Sequence, residues 1–185
     1  DHFPGSGAGA TGVVDLASPP VGRMTTLADI VSALKAKAAE TPQGAWIRGR
    51  GYDDTLIKEM RHPTRADLDQ ASSDHPILIT HVSGHLSVAN SRALEIAGIT
   101  RNTPQPAGGV IRMDPKTGEP DGVFEESGGL VGRHVPRPTE EQKWAGYARA
   151  VQDYIEDGVT TIVPAGGGRQ SLIDHQTAIS RGVMP

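Results

Sequence analysis

Chemistry in this chain has to come from histidines and carboxylates. Seven histidines are present, His2, His62, His75, His81, His85, His134 and His175, and there is no cysteine. Imidazole carries protons near neutral pH and ligates divalent metals, whereas the lack of thiols excludes a disulfide framework, a Cys-ligated metal and a thiol nucleophile. His81 ends the apolar run Ile77-Leu78-Ile79-Thr80, and His85 follows four residues later. A histidine at the end of a buried strand stands where many folds display ligand-binding groups. Ser83-Gly84 between the two reads as a loop, so they do not share a helical face, and both a ligand role and a structural role stay open. No HExxH and no intact HxH occurs, so no self-sufficient metal motif is visible. Asp53-Asp54 and Glu125-Glu126 are paired carboxylates at predicted strand ends, where mutual repulsion suits acid/base work, although most such pairs are simply solvated. His62 and His75 each precede a proline and are expected in turns.

Two glycine motifs carry less. Gly7 to Gly12 matches GxGxxG, but the flanking residues, with Pro4 before and Val13 to Pro20 after, cannot supply the strand and helix a dinucleotide site requires. Gly166-Gly167-Gly168-Arg169 lies between a predicted strand and helix, where an anion nest can form, though a plain βα turn is the favoured reading. No GxSxG nucleophile elbow occurs.

The elements that must position these groups are readable in part. Thr26 with Asp29 opens a predicted helix over 27–39, with Leu27, Ile30, Val31, Leu34 and Ala38 on one face. Trp46 to Tyr52 and Ile77 to His81 read as strands, Thr64 as the cap of a short turn through Leu68, and Val88 to Ala97 as a helix closed by Gly98. Segments 109–113 and 122–125 flank a turn-rich bridge and predict a β-hairpin. Thr139 with Gln142 opens a helix that Gly158 ends, followed by a predicted strand Val159 to Val163 and a helix from Leu172 to Arg181 stopped by Gly182.

Composition bounds the answer. The chain has 185 residues, whereas a complete TIM barrel typically takes roughly 250. Its net charge of −4 leaves no basic footprint for nucleic acid. No apolar run approaches the roughly 20 residues of a membrane span, so no membrane partner is expected. A soluble, cytoplasmic protein is expected, with the true N-terminus free to lie upstream.

Five blocks, taken together, resemble a known family. Trp46-Ile47-Arg48-Gly49-Arg50-Gly51-Tyr52-Asp53, Pro63 to Asp69, His85 with Asn90-Ser91 and Ala93-Leu94, Thr117-Gly118-Glu119-Pro120 with Gly122 to Glu125, and Gly158 to Thr161 recur in this order in YtcJ-like amidohydrolases (amidohydrolase family 3). The resemblance implies a mixed α/β (α+β) chain in three parts. Residues 1–21 would be the end of a first barrel strand and a glycine-rich loop, 22–135 an α+β insertion domain roofing the active site, and 136–185 a helix-strand-helix piece of the TIM barrel. It implies zinc or another divalent metal, with His2 as the second histidine of a severed HxH pair and Glu125 as a metal-bridging or near-metal carboxylate. Tyr52, His81, His85 and Asn90 would face a small amide-like substrate. The implied chemistry is hydrolysis of an amide-like C–N bond by a metal-activated water. This chain alone is expected to be inactive, since later family ligands are not among its residues. The rival expectation is a non-catalytic binding or interaction module built from the insertion. Self-association through the 159–163 strand edge is expected as well.

Overall fold

The structure, a computed structural model, describes residues 12–162 and 168–184. Two compact units divide the chain: Val13–Pro136, and Arg137–Pro185 together with Asp1–Gly12. In the first, a six-stranded sheet has the order β1-β2-β3-β4-β6-β5. The strands are β1 Val13–Asp15, β2 Ile47–Tyr52, β3 Ile77–His81, β4 Leu86–Ala89, β5 Val110–Met113 and β6 Pro120–Glu125. β1, β2 and β3 run parallel, and β4, β6 and β5 continue antiparallel.

Both faces of this sheet are covered, which is why β3 reads as an unbroken apolar run. Ile77 and Ile79 pack with Ile47, Val88 and Val123 against α1 (Leu27–Glu40), whose Leu27, Ile30 and Leu34 are buried in the same cluster. Leu78, Ala89 and Phe124 point the other way, onto Ala93 and Leu94 of α3 (Ser91–Ala97) and Val131 of α4 (Gly129–Gly132). Period-two alternation thus feeds two cores from single strands. α1 is opened by the expected capping box, in which Thr26 Oγ1 accepts from Asp29 N and an Asp29 oxygen accepts from Thr26 N. α2 (Arg65–Asp69) starts at Thr64 by the same device.

Two readings of the sequence change in this sheet. Val88 to Ala97 is not one helix: Leu86–Ala89 is a strand, and the helix begins only at Ser91 with Asn90 as its cap. Four residues are too few for periodicity to choose between the classes, and tertiary pairing of Leu78–Thr80 with Ser87–Ala89 decides for the strand. The hairpin forms as expected, as β5 and β6. β1 is hydrogen-bonded to β2, so Val13 to Asp15 belong to the sheet rather than to a separate loop.

In the second unit, α5 (Glu140–Glu156) and α6 (Arg169–Ser180) bury Trp144, Tyr147, Ala150, Val151 and Ala178. Gly158 and Gly182 take left-handed backbone beyond the helix ends, as a C-terminal stop requires. Residues 159–162 have no ladder partner among the described residues, and Val163, the end of the predicted strand, lies outside them, as do His2, Gly7 to Thr11 and Gly166-Gly167.

Candidate functional site

The C-terminal ends of β2, β3 and β6 and the start of β4 lie at one end of the sheet, since β4 and β6 run against β3 and with it, respectively, and Leu86 pairs with Glu125. Gly51 shapes the β2 end. Arg50 pairs with Thr80 but Tyr52 with His81, which makes Gly51 the extra residue of a β-bulge, and its φ of 88° is one that glycine adopts freely. The bulge brings Tyr52 opposite His81, and Val82 N donates to Tyr52 O at 2.9 Å to hold that register.

Around this point four side chains meet. The Tyr52 and His81 rings pack edge to face at 5.1 Å, and His62 packs edge-on against both. His62 Nδ1 lies 3.3 Å from the Tyr52 hydroxyl and 3.4 Å from Asp54 Oδ1. With Tyr52 donating, the His62 proton sits on Nε2; with Asp54 accepting, it sits on Nδ1. Asp54 Oδ1 is also 3.1 Å from His81 Nε2, without hydrogen-bond alignment, and that buried nitrogen has no hydrogen-bond partner among the described residues. On its other side, His81 Nδ1 meets the Ser83 hydroxyl at 2.8 Å and the Ser83 N–H at 3.1 Å. Asp53, next in line, is turned into the loop, where its Oδ1 accepts from the Thr55 N–H and hydroxyl.

Burial tunes these groups. It pushes the Tyr52 phenol well above its ordinary range, helped by the charge of Asp54. It pushes the His62 imidazole down, so that Asp54 and Glu125, which favour its protonation, only partly offset the desolvation. Tyr52 therefore stays a donor, and His62 is predominantly neutral at pH 7. Donor atoms of Asp53, Asp54 and His81 converge within 4.8 Å, a set able to hold a metal ion.

The remaining expected site residues separate. His85 sits at the same sheet end, more than half exposed, with Nδ1 2.9 Å from Glu126 Oε1. Glu126 holds a left-handed backbone with φ of 53°, unusual for a non-glycine residue, and its N–H donates to His85 O. Glu125 is exposed, and its carboxylate has no hydrogen bond or ion pair among the described residues. Asn90 corrects the expectation of a substrate contact. It is fully buried, its Oδ1 accepts from Ile77 N and Ala93 N, and its Nδ2 donates to Ser72 O and His75 O. All four hydrogen-bonding positions of its amide are used, so it clamps β3 to α3 and has nothing left for a ligand. His75 is likewise buried, bonded to Ser72 Oγ and Thr41 O. His62 joins the cluster although proline spacing marked it only as a turn residue. Its ten-residue separation from Tyr52 carries no periodic signal; the adjacent Asp53-Asp54 pair was the available clue.

Comparison with known proteins completes the picture. Residues 8–181 match the amidohydrolase family Amidohydro_3. The chain is 31% identical over 180 residues to the N-substituted formamide deformylase of Arthrobacter pascens, covering 93% of this chain and 32% of that protein. It is 33% identical over 138 residues to the putative amidohydrolase YtcJ of Bacillus subtilis (strain 168), covering 74% of this chain and 26% of that protein. The crystal structure of an uncharacterized metal-dependent hydrolase from Pyrococcus horikoshii OT3 shares the fold, with a TM-score of 0.58 at 21% identity over 96% of this chain and 32% of that one. The chain thus spans between about a quarter and a third of the length of these proteins. With a family match over nearly every residue, and a mixed α/β fold shared with a metal-dependent hydrolase, the chain belongs to the YtcJ-like amidohydrolase family.

Proposed function

We propose that this chain is part of a metal-dependent hydrolase that cleaves amide-like C–N bonds, and that the sheet end bearing Tyr52, His62, His81, His85 and Glu125 faces its substrate. The observation that carries this reading is the gathering of imidazoles and carboxylates at one sheet end in a chain of an amidohydrolase family. On this reading residues 22–135 are an α+β insertion domain, and 136–185 are a piece of the TIM barrel.

Zinc or another divalent metal would take Glu125 as a metal-bridging or near-metal carboxylate, as the family resemblance implies, with its other ligands from the rest of the enzyme. Glu125 fits such a role, because an exposed carboxylate at a strand end, with no cation paired to it among the described residues, keeps both oxygens for a ligand. When bound, the metal supplies a Lewis acid and a water acidified toward neutrality. The chain's own residues do the positioning. With Tyr52 donating its hydroxyl proton to Nδ1 at 3.3 Å, the neutral His62 ring carries its proton on Nε2 and can donate a hydrogen bond from there to a substrate oxygen. His85, exposed beside Glu126, offers a polar contact to the substrate's carbonyl side.

The relative from Arthrobacter makes N-substituted formamides the first substrates to try. The full-length enzyme containing this sequence is expected to release amine from them, to lose activity on chelation and to regain it with zinc, cobalt or manganese. The 185 residues alone are expected to show no turnover. Failure of the full-length, metal-loaded enzyme on formamides, anilides and acylated amines alike overturns the reading.

A further inference from the structure

We propose that Asp53, Asp54 and His81 form a divalent-cation site within the sheet unit itself. The proposal goes beyond the hydrolase reading, which requires only that these groups face the substrate.

The geometry comes first. Tetrahedral zinc with bonds of roughly 2.0–2.1 Å separates its ligands by about 3.4 Å. Asp54 Oδ1 already stands 3.1 Å from His81 Nε2, one edge of about that size. Asp53 brings a second carboxylate to a set whose atoms lie within 4.8 Å, so modest side-chain rotation closes it. An ordinary Asp–His ion pair would align an N–H on the oxygen. Here Nε2 of His81 is buried, close to the carboxylate and yet misaligned, and it satisfies nothing among the described residues. A buried ring nitrogen in that condition costs free energy that a bound cation would recover.

Charge and outer contacts agree. Two carboxylates meet here with no Lys or Arg paired to either among the described residues, and Arg112, whose charge reaches Tyr52 and His62, is itself held by Asp121. His81 and Asp54 are mostly buried, 12% and 23% exposed, which limits the water that could replace the missing countercharge. Metal-bound histidines usually donate their other ring N–H to a fixed acceptor. The Ser83 hydroxyl, 2.8 Å from His81 Nδ1, is such an acceptor. Loading the site places the His81 proton on Nδ1 and costs the weaker contact from Ser83 N–H. One imidazole and two carboxylates make a mixed N and O set with room for water, in which the imidazole suits zinc, cobalt or manganese. A cation here also takes the Nε2 lone pair that a direct substrate contact by His81 would use.

The test uses the 185-residue chain, stripped with chelator and titrated with ZnCl2 by calorimetry, alongside heteronuclear NMR of the histidine side chains. One equivalent of zinc is expected, moving the ring nitrogens of His81 and leaving His85, His134 and His175 in place. Asp54→Asn and His81→Asn are each expected to weaken binding by at least about tenfold, as loss of a first ligand requires. Zinc that shifts only His2 or the exposed histidines, or no binding at all, overturns the proposal. So does unchanged affinity in both variants. If either variant unfolds, the wild-type NMR pattern still decides. Hydrolysis by the full-length enzyme is untouched by that outcome, so the two readings fail separately.

Discussion

At the scale of single residues, the chain separates side chains that hold the fold from those free to act. Asn90 is of the first kind, since four backbone groups, three of them in buried hydrogen bonds, depend on one amide. Asn90→Ala leaves those groups unpaired and is expected to cost about 3 kcal/mol or more, measured by urea denaturation. Asn90→Asp should be no milder, because the replaced amino group would press a carboxylate oxygen on Ser72 O and His75 O. A variant of unchanged stability would return Asn90 to the list of ligand contacts. Tyr52 belongs to both kinds. Its ring is core and its hydroxyl reaches His62, so Tyr52→Phe should keep the fold at a cost of about 1 kcal/mol while changing the titration of His62 seen by NMR.

At the scale of elements, two places turn local chemistry into geometry. Gly122 in β6 has φ of 98°, and a Cβ there would sit 2.4 Å from Ala89 O and 2.8 Å from Arg65 N, both backbone atoms that cannot yield cheaply. Gly122→Ala is therefore expected to lose about 2–4 kcal/mol and to disturb the Glu125 end of the strand, a loss readable in the denaturation midpoint. The start of α2 makes the pH prediction. Burial pushes the Asp67 carboxyl up, but hydrogen bonds from Arg61 and Thr64 outweigh it and hold it below its ordinary range. A carboxyl depressed on folding gives stability that is present above the unfolded pKa of about 3.9 and is lost as pH falls through the lower folded value. Wild type should thus lose stability between neutral pH and pH 3 more steeply than Asp67→Asn, and parallel curves would refute the assignment.

At the scale of the whole molecule, Val13–Pro136 carries its own two cores around one sheet, and it is expected to unfold cooperatively when expressed alone. In the other unit Ile155, Leu172 and Ile179 are each more than half exposed, apolar surface that favours self-association of the chain. Light scattering at high concentration should find a dimer or larger species, and a clean monomer would count against this. No helix among the described residues is long and apolar enough to cross a membrane. By itself the sequence determined what depends on neighbours in the chain: the capped starts at Thr26, Thr64 and Thr139, the glycine stops at Gly98, Gly158 and Gly182, the hairpin, and the buried strand ending at His81. The family was legible too, because ordered blocks survive whatever their packing. Only the tertiary structure decided that Leu86–Ala89 is a strand, that Asn90 is a clamp, and that His62 and Asp54 join Tyr52 and His81. The reason is physical. Caps, turns and periodicity are set by bonds within a few residues, whereas strand pairing, the burial of an amide and the approach of His62 to His81 are set by groups distant in the chain and brought together only when the sheet and its two cores form.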